Sequence, residues 1–211
     1  MTRLLVASDN AKKRREFQHL LAPLGIEIVV PADVGGLPPV DEDAPTFAGN
    51  AAKKARSAAS AHRLWSLADD SGLEVRSLGG APGVQSARYA GRHGDDAANN
   101  ARLLAELARL EHASPTRPVS RAARFVCALA LARPDGSLAL EVQGTAEGRI
   151  LEAPRGHHDF GYDPLFLFTE PGFAETGRGF AELEPEEKAR VSHRGRALRE
   201  LLARWPAELR A

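Results

Sequence analysis

The sequence predicts an α/β fold: a mixed β-sheet flanked by helices. Three observations predict it. Arg3 to Ala7 is a short apolar run that leads through Ser8, Asp9 and Asn10 into helical spacing, the opening of an α/β unit. A second apolar run (Leu64, Trp65, Leu67, Ala68) stops at Asp69-Asp70-Ser71-Gly72, which predicts a buried strand ending in a pair of acids. Arg124 to Ala132 and Ser137 to Ala146 flank Pro134-Asp135-Gly136, a turn signal that predicts an antiparallel pair and so makes the sheet mixed.

The 211 residues fit a single domain, 1–211, and the 43% hydrophobic content is enough to bury a core. Lysine plus arginine equals aspartate plus glutamate at 28 each, so no overall positive field exists to hold nucleic acid or an anionic membrane. No apolar run approaches a membrane span. The stretch Leu4 to Ala7 is too short for a signal peptide, and the lone Cys127 sits in an apolar run as a buried thiol. The expectation is a cytoplasmic protein.

Taken in order, the first helix is expected from Ala11 to Leu21, with Phe17, Leu20, Leu21 and Leu24 at helical spacing. Its N-terminus offers free backbone N–H groups beside Lys12 and Lys13, which suits a phosphate as well as an ordinary capped helix. Ile26 to Val30 predicts a short strand, and Pro31 to Pro45 a long loop with the acidic cluster Asp41, Glu42, Asp43. Thr46 is placed to cap a helix to His62 whose stripe is Phe47, Ala51, Ala55, Ala58 and Ala59, with Asn50 and Lys54 one turn apart.

Adjacent acids at a strand end suit a hard cation such as Mg²⁺ and a water to be deprotonated; alone, Asp-Asp-Ser-Gly is equally a solvated turn. Gly72 permits a sharp turn or a close backbone approach. The glycine-rich stretch Gly79 to Gly94 predicts a structured loop. Asp95 opens a helix to about Leu110 with Leu103, Leu104, Leu107 and Leu110 on its core face. In Ala153 to Phe166, Phe160 and Tyr162 supply aromatic faces suited to a base. The adjacent His157 and His158 invite a metal reading but lack the helical spacing of a zinc pair, which makes it the lesser reading. Ser192-His193-Arg194 precedes a last helix carrying Leu198, Leu201 and Leu202. Cations for phosphates, acids for a metal and a planar group for a base together point to Mg²⁺-dependent nucleotide or phosphoester chemistry.

Six ordered segments then carry a resemblance: SDNAKKRREF (Ser8–Phe17), TFAGNAAKKA (Thr46–Ala55), LADDSGLEV (Leu67–Val75), GGAPGVQSARYAG (Gly79–Gly91), DFGYDPLF (Asp159–Phe166) and FAELEPEEKARVSHRGRAL (Phe180–Leu198). Through them the chain resembles the Ham1 family of inosine/xanthosine triphosphate pyrophosphatases over nearly its full length. The resemblance implies an elongated mixed sheet in two lobes with a central substrate cleft, a homodimer, and Mg²⁺-dependent hydrolysis of a nucleoside triphosphate to monophosphate and pyrophosphate. It implies Ser8, Asp9, Asn10, Ala11, Lys12, Lys13 and Lys54 as the phosphate side. It implies Asp70 as general base and metal ligand, with Asp69 beside it and Glu42 as second ligand. Asp43-Ala44 departs from the usual Thr-Gly, which leaves Asp41 and Asp43 as alternatives to Glu42. Ser71, Phe160, Gly161, Tyr162, Asp163, Lys188, His193 and Arg194 are implied at the substrate. A dehalogenase-type phosphatase needs its two acids separated by one intervening residue, whereas Asp69 and Asp70 are adjacent. A binding module without turnover would have no use for the acids.

Overall fold

The computed structural model describes residues 3–21, 25–114, 116–158 and 160–209, with the side chains of Lys12, His19 and Leu20 outside that description. Leu24 and Asp159 therefore also lie outside the described residues. Six strands, β1 (Arg3–Val6), β2 (Glu27–Val29), β3 (Trp65–Val75), β4 (Ala122–Ala132), β5 (Leu138–Ile150) and β6 (Phe166–Phe168), form one sheet in the order β2-β1-β3-β4-β5-β6. β1 pairs parallel with β2 and β3, and β5 pairs antiparallel with β6, so the sheet is mixed as expected. Arg133 N donates to Ser137 O and Ile150 N to Arg121 O (both 2.8 Å), which closes the β4–β5 hairpin at its two ends.

The helices are α1 (Ala11–Leu21), α2 (Phe47–His62), α3 (Asp96–Ala113), α4 (Pro185–Val191) and α5 (His193–Ala203). Thr46 caps α2 as its sequence predicts: its hydroxyl accepts from Gly49 N at 3.1 Å. The alanine stripe of α2 is buried throughout. α3 runs three residues past the expected Leu110; Leu103 and Leu107 form its core face, while Leu104 and Leu110 are half-buried.

The chain divides into two compact units. Unit 1 comprises Met1–Asp70, Cys127–Gln143 and Ala197–Ala211, with a core of Leu4, Val6, Phe17, Leu67, Leu129, Leu131, Leu198 and Leu201. Unit 2 comprises Ser71–Val126 and Gly144–Arg196, with a core of Leu73, Phe125, Phe166, Phe168, Phe180 and Tyr162. No helix among the described residues is long and apolar enough to cross a membrane.

One expectation is corrected. β3 does not stop at the acids but continues through Asp69, Asp70, Ser71 and Gly72 to Val75. The turn propensity of Asp-Asp-Ser-Gly loses to tertiary partners that satisfy both carboxylates inside the sheet. Gly72 serves a close approach rather than a turn. A Cβ added there would lie 2.3 Å from Ser86 Oγ, and that hydroxyl accepts from Leu73 N at 2.9 Å while donating to Gly83 O at 2.6 Å.

Candidate active site

Alternation along β3 sends the two acids to different partners. Asp69, 2% exposed, accepts from Lys13 Nζ at 2.6 Å. Asp70, 8% exposed, accepts from Asn50 Nδ2 at 3.1 Å and faces Lys54 Nζ at 3.4 Å. Lys54 also donates to Glu42 Oε2 at 3.0 Å, so one ammonium lies between two carboxylates of different origin. Of the three loop acids, Glu42 meets Lys54 and Asp43 meets Lys53. Asn50, fully buried, accepts from Ala44 N at 3.0 Å through Oδ1, which ties the acidic loop to the side chain that holds Asp70.

Burial pushes the Asp70 carboxyl above the ordinary carboxylate range; Lys54, the Asn50 hydrogen bond and Lys13 oppose the shift, and Glu42 adds to it. Burial alone would lower Lys54, but the fields of Asp69, Asp70 and Glu42 outweigh it and raise the ammonium above the ordinary lysine value. The acids thus hold Lys54 charged, while burial leaves the ionised form of Asp70 only partly compensated by its cations.

At the start of α1, Asn10 Oδ1 accepts from Lys13 N at 3.2 Å, so Asn10 is the cap that presents the helix N-terminus. Ser8 is half-buried, and its Oγ accepts from Asn10 N at 3.4 Å. Asp9 and Ala11 are exposed. The side chain of Lys12 lies outside the described residues.

In unit 2, Ser71 Oγ accepts from an Arg194 terminal nitrogen at 3.3 Å. His193 is buried and stacks on Phe125, with ring centroids 4.7 Å apart. These two residues open α5, where Gly195 sits so tightly that an added Cβ would lie 1.9 Å from Ala189 O. Asp163 is buried and ion-pairs with Lys188. The Lys188 ammonium lies 5.5 Å from the centroid of Phe160, which is half-buried. Tyr162 is a core residue: its hydroxyl donates to Ser86 O at 2.9 Å, and burial raises its pKa strongly. The half-exposed ring of this turn is thus that of Phe160.

The sequence offered no signal for the residues that fix Gly161. Asp96 Oδ2 accepts from Gly161 N and Asn100 Nδ2 donates to Gly161 O, both at 2.8 Å, from positions one turn apart on α3. Only the apolar face of α3 was legible. Asn50 was visible one turn from Lys54, but its hold on Asp70 depends on β3 lying beside α2.

An α/β protein with two buried acids, each facing a lysine, one of them in the first turn of a capped helix, has the apparatus of a phosphate-handling enzyme. The sequence pattern of the Ham1 family matches residues 4–204, and the chain belongs to that family. A "dITP/XTP pyrophosphatase" of Syntrophobacter fumaroxidans is 50% identical over 198 residues, 94% of this chain and 79% of the relative. Another of that name, from Exiguobacterium sp., is 49% identical over 201 residues and 95% of each chain. Among solved structures, a HAM1 protein from Coxiella burnetii superposes with a TM-score of 0.84 at 39% identity, covering 96% of this chain and 98% of its own. A nucleoside-triphosphatase / dITP/XTP pyrophosphatase from Mycobacterium abscessus superposes at 0.74 with 44% identity, covering 97% of this chain and 100% of its own.

Proposed function

We propose that the chain hydrolyses non-standard purine nucleoside triphosphates (dITP, ITP, XTP and dXTP) between the α- and β-phosphates, releasing the monophosphate and pyrophosphate. The single observation that carries this is the partly buried Glu42–Lys54–Asp70 arrangement beside Lys13–Asp69. Family membership and relatives at about half identity that bear the name support the choice of substrate.

The donor set fits Mg²⁺. Glu42 and Asp70 offer hard carboxylate oxygens, and they already converge on a cation in the form of the Lys54 ammonium. Mg²⁺ held by Asp70 and Glu42 would supply charge neutralisation to the phosphate oxygens. The chain's own groups do the rest. Asp70 takes the proton of the attacking water, and its raised pKa brings it closer to a useful base at neutral pH. Lys13, Lys54 and the α1 N-terminus with Ser8, Asp9, Asn10, Ala11 and Lys12 receive phosphate charge. Asp69 holds Lys13 in place.

Phe160 offers its ring to the base, Gly161 and Tyr162 shape the turn, and Asp163 orients Lys188. Arg194, beside Ser71 and following His193, donates to a 6-oxo purine. Adenine presents an amino donor at that position, and the mismatch leaves buried groups unpaired; guanine shares the 6-oxo group, so its exclusion rests on its 2-amino group. The enzyme works in the cytoplasm as a homodimer that clears aberrant nucleotides from the pool.

The test supplies dITP beside dGTP with Mg²⁺ and separates pyrophosphate from orthophosphate, with Asp70→Asn and chelator controls. Pyrophosphate from dITP, weak turnover of dGTP, and loss of activity in the variant and with chelator are expected. Orthophosphate as the product, or turnover indifferent to Asp70, would overturn the proposal.

A further inference from the structure

Unit 2 carries a second group of metal-type donors that the proposed chemistry does not use. The segment Arg155–His158 is pinned onto the stretch that leads into α4. Arg155 grips both carboxylate oxygens of Glu182 at 2.9 Å. Gly156, at φ +89°, lies so close to Ala181 that a Cβ would come within 2.3 Å of its carbonyl. The backbone N–H groups of His157 and His158 both donate to Ala181 O, at 3.0 and 3.1 Å. Two successive amides on one carbonyl hold the two imidazoles side by side, with centroids 4.3 Å apart.

Glu184, three residues beyond Ala181, completes the group. One donor atom from each of His157, His158 and Glu184 lies within 4.8 Å of the other two. His158 Nε2 is shielded from solvent and makes no hydrogen bond among the described residues; Glu184 Oε2 stands 3.8 Å away, beyond hydrogen-bond reach. A shielded imidazole nitrogen facing a carboxylate across that gap lacks a partner that both can share.

We propose that His157, His158 and Glu184 form a site for a borderline transition ion of the Zn²⁺ type. Two imidazoles and a carboxylate are a zinc-type donor set, and Mg²⁺ disfavours nitrogen ligands, so this site and the acid site select different ions. Zinc–ligand distances of about 2.0–2.2 Å bring tetrahedral donors to roughly 3.3–3.6 Å from one another. Side-chain rotation of the exposed His157 and Glu184 closes the remaining gap, and water takes the fourth position. A bound ion would staple the segment preceding Phe160 to the start of the helix that carries Lys188.

The experiment is equilibrium dialysis of the full chain against Zn²⁺ in excess Mg²⁺, without nucleotide, so that its outcome is independent of the proposed activity. Wild type is expected to hold one Zn²⁺ that the His157→Ala/His158→Ala double variant lacks. Glu184→Gln is expected to weaken binding by about tenfold or more. Zn²⁺ is expected to raise the melting temperature of wild type and leave that of the double variant unchanged. Should the double variant misfold, Glu184→Gln, altered only at an exposed carboxylate, carries the test. Wild type without Zn²⁺ uptake, or Glu184→Gln with unchanged affinity, would overturn the proposal.

Discussion

The Nδ2 of Asn50 donates to Asp70 Oδ2 at 3.1 Å while the Oδ1 of the same residue accepts from Ala44 N at 3.0 Å. One buried amide therefore orients the proposed base and anchors the loop that bears Glu42. Asn50→Ala removes a bond that holds the Asp70 pKa down, and it leaves a backbone N–H unpaired. The expected result is a loss of about 1–3 kcal/mol of stability and an acid limb of the activity profile displaced to higher pH. An unmoved acid limb would show that Asn50 does not act through Asp70.

Asp70 itself has opposite effects on catalysis and stability. Its folded pKa lies above its unfolded one, so its stabilising contribution is present at low pH and lost as pH rises through the folded value. At neutral pH the ionised group is held at a cost. Asp70→Asn should lower kcat by at least about a hundredfold yet melt no lower than wild type at pH 7 without Mg²⁺. Calorimetry beside the product assay checks both halves.

Lys54 runs the other way. Its folded pKa is raised, so its contribution is fully present below the unfolded lysine value and fades only as pH rises through the folded one. Lys54→Met leaves Glu42 and Asp70 facing each other without their shared cation. The expected cost is about 2–4 kcal/mol at pH 7, shrinking on acidification as Asp70, whose pKa is raised, protonates. Urea titrations at pH 7 and pH 5 measure the difference.

Gly195 offers a steric test. A Cβ there would collide with Ala189 O at 1.9 Å, so Gly195→Ala must displace the start of α5 and with it His193 and Arg194. A loss of about 1–3 kcal/mol is expected, with KM for dITP rising more than kcat falls. Steady-state kinetics at two temperatures below the melting transition separate the two effects.

What the sequence revealed depended on how local each signal was. α2 was fully legible, because its threonine cap and alanine stripe are contained in consecutive residues. The passage of β3 through its acids was not. Aspartate, serine and glycine are poor strand formers, and the lysines and asparagine that overrule them come from α1 and α2. Tyr162 read, like Phe160, as an aromatic face suited to a base; its place in the core was not legible because its hydroxyl partner, Ser86 O, lies 76 residues away. Glu184 stood too far along the chain to be joined to the histidine pair. Glu42 could not be told from Asp41 and Asp43 by spacing alone; in the structure Glu42 meets Lys54, which also faces Asp70, while Asp43 meets Lys53.

The alanine stripe of α2 has a consequence for how sequences of this kind can drift. Ala51, Ala55, Ala58 and Ala59 are at most 2% exposed, so this face of the helix is closed to solvent by methyl groups alone. Methyl groups have no rotamers to rearrange, so a larger residue on this face cannot be absorbed by side-chain adjustment and must shift the helix as a whole. Because Asn50 and Lys54 ride on it, such a shift would be felt at the acids before the fold itself gave way. Changes that look conservative by hydrophobicity would therefore be filtered by activity, and the bare face of α2 acts as a gauge that sets the distance between ammonium and carboxylate.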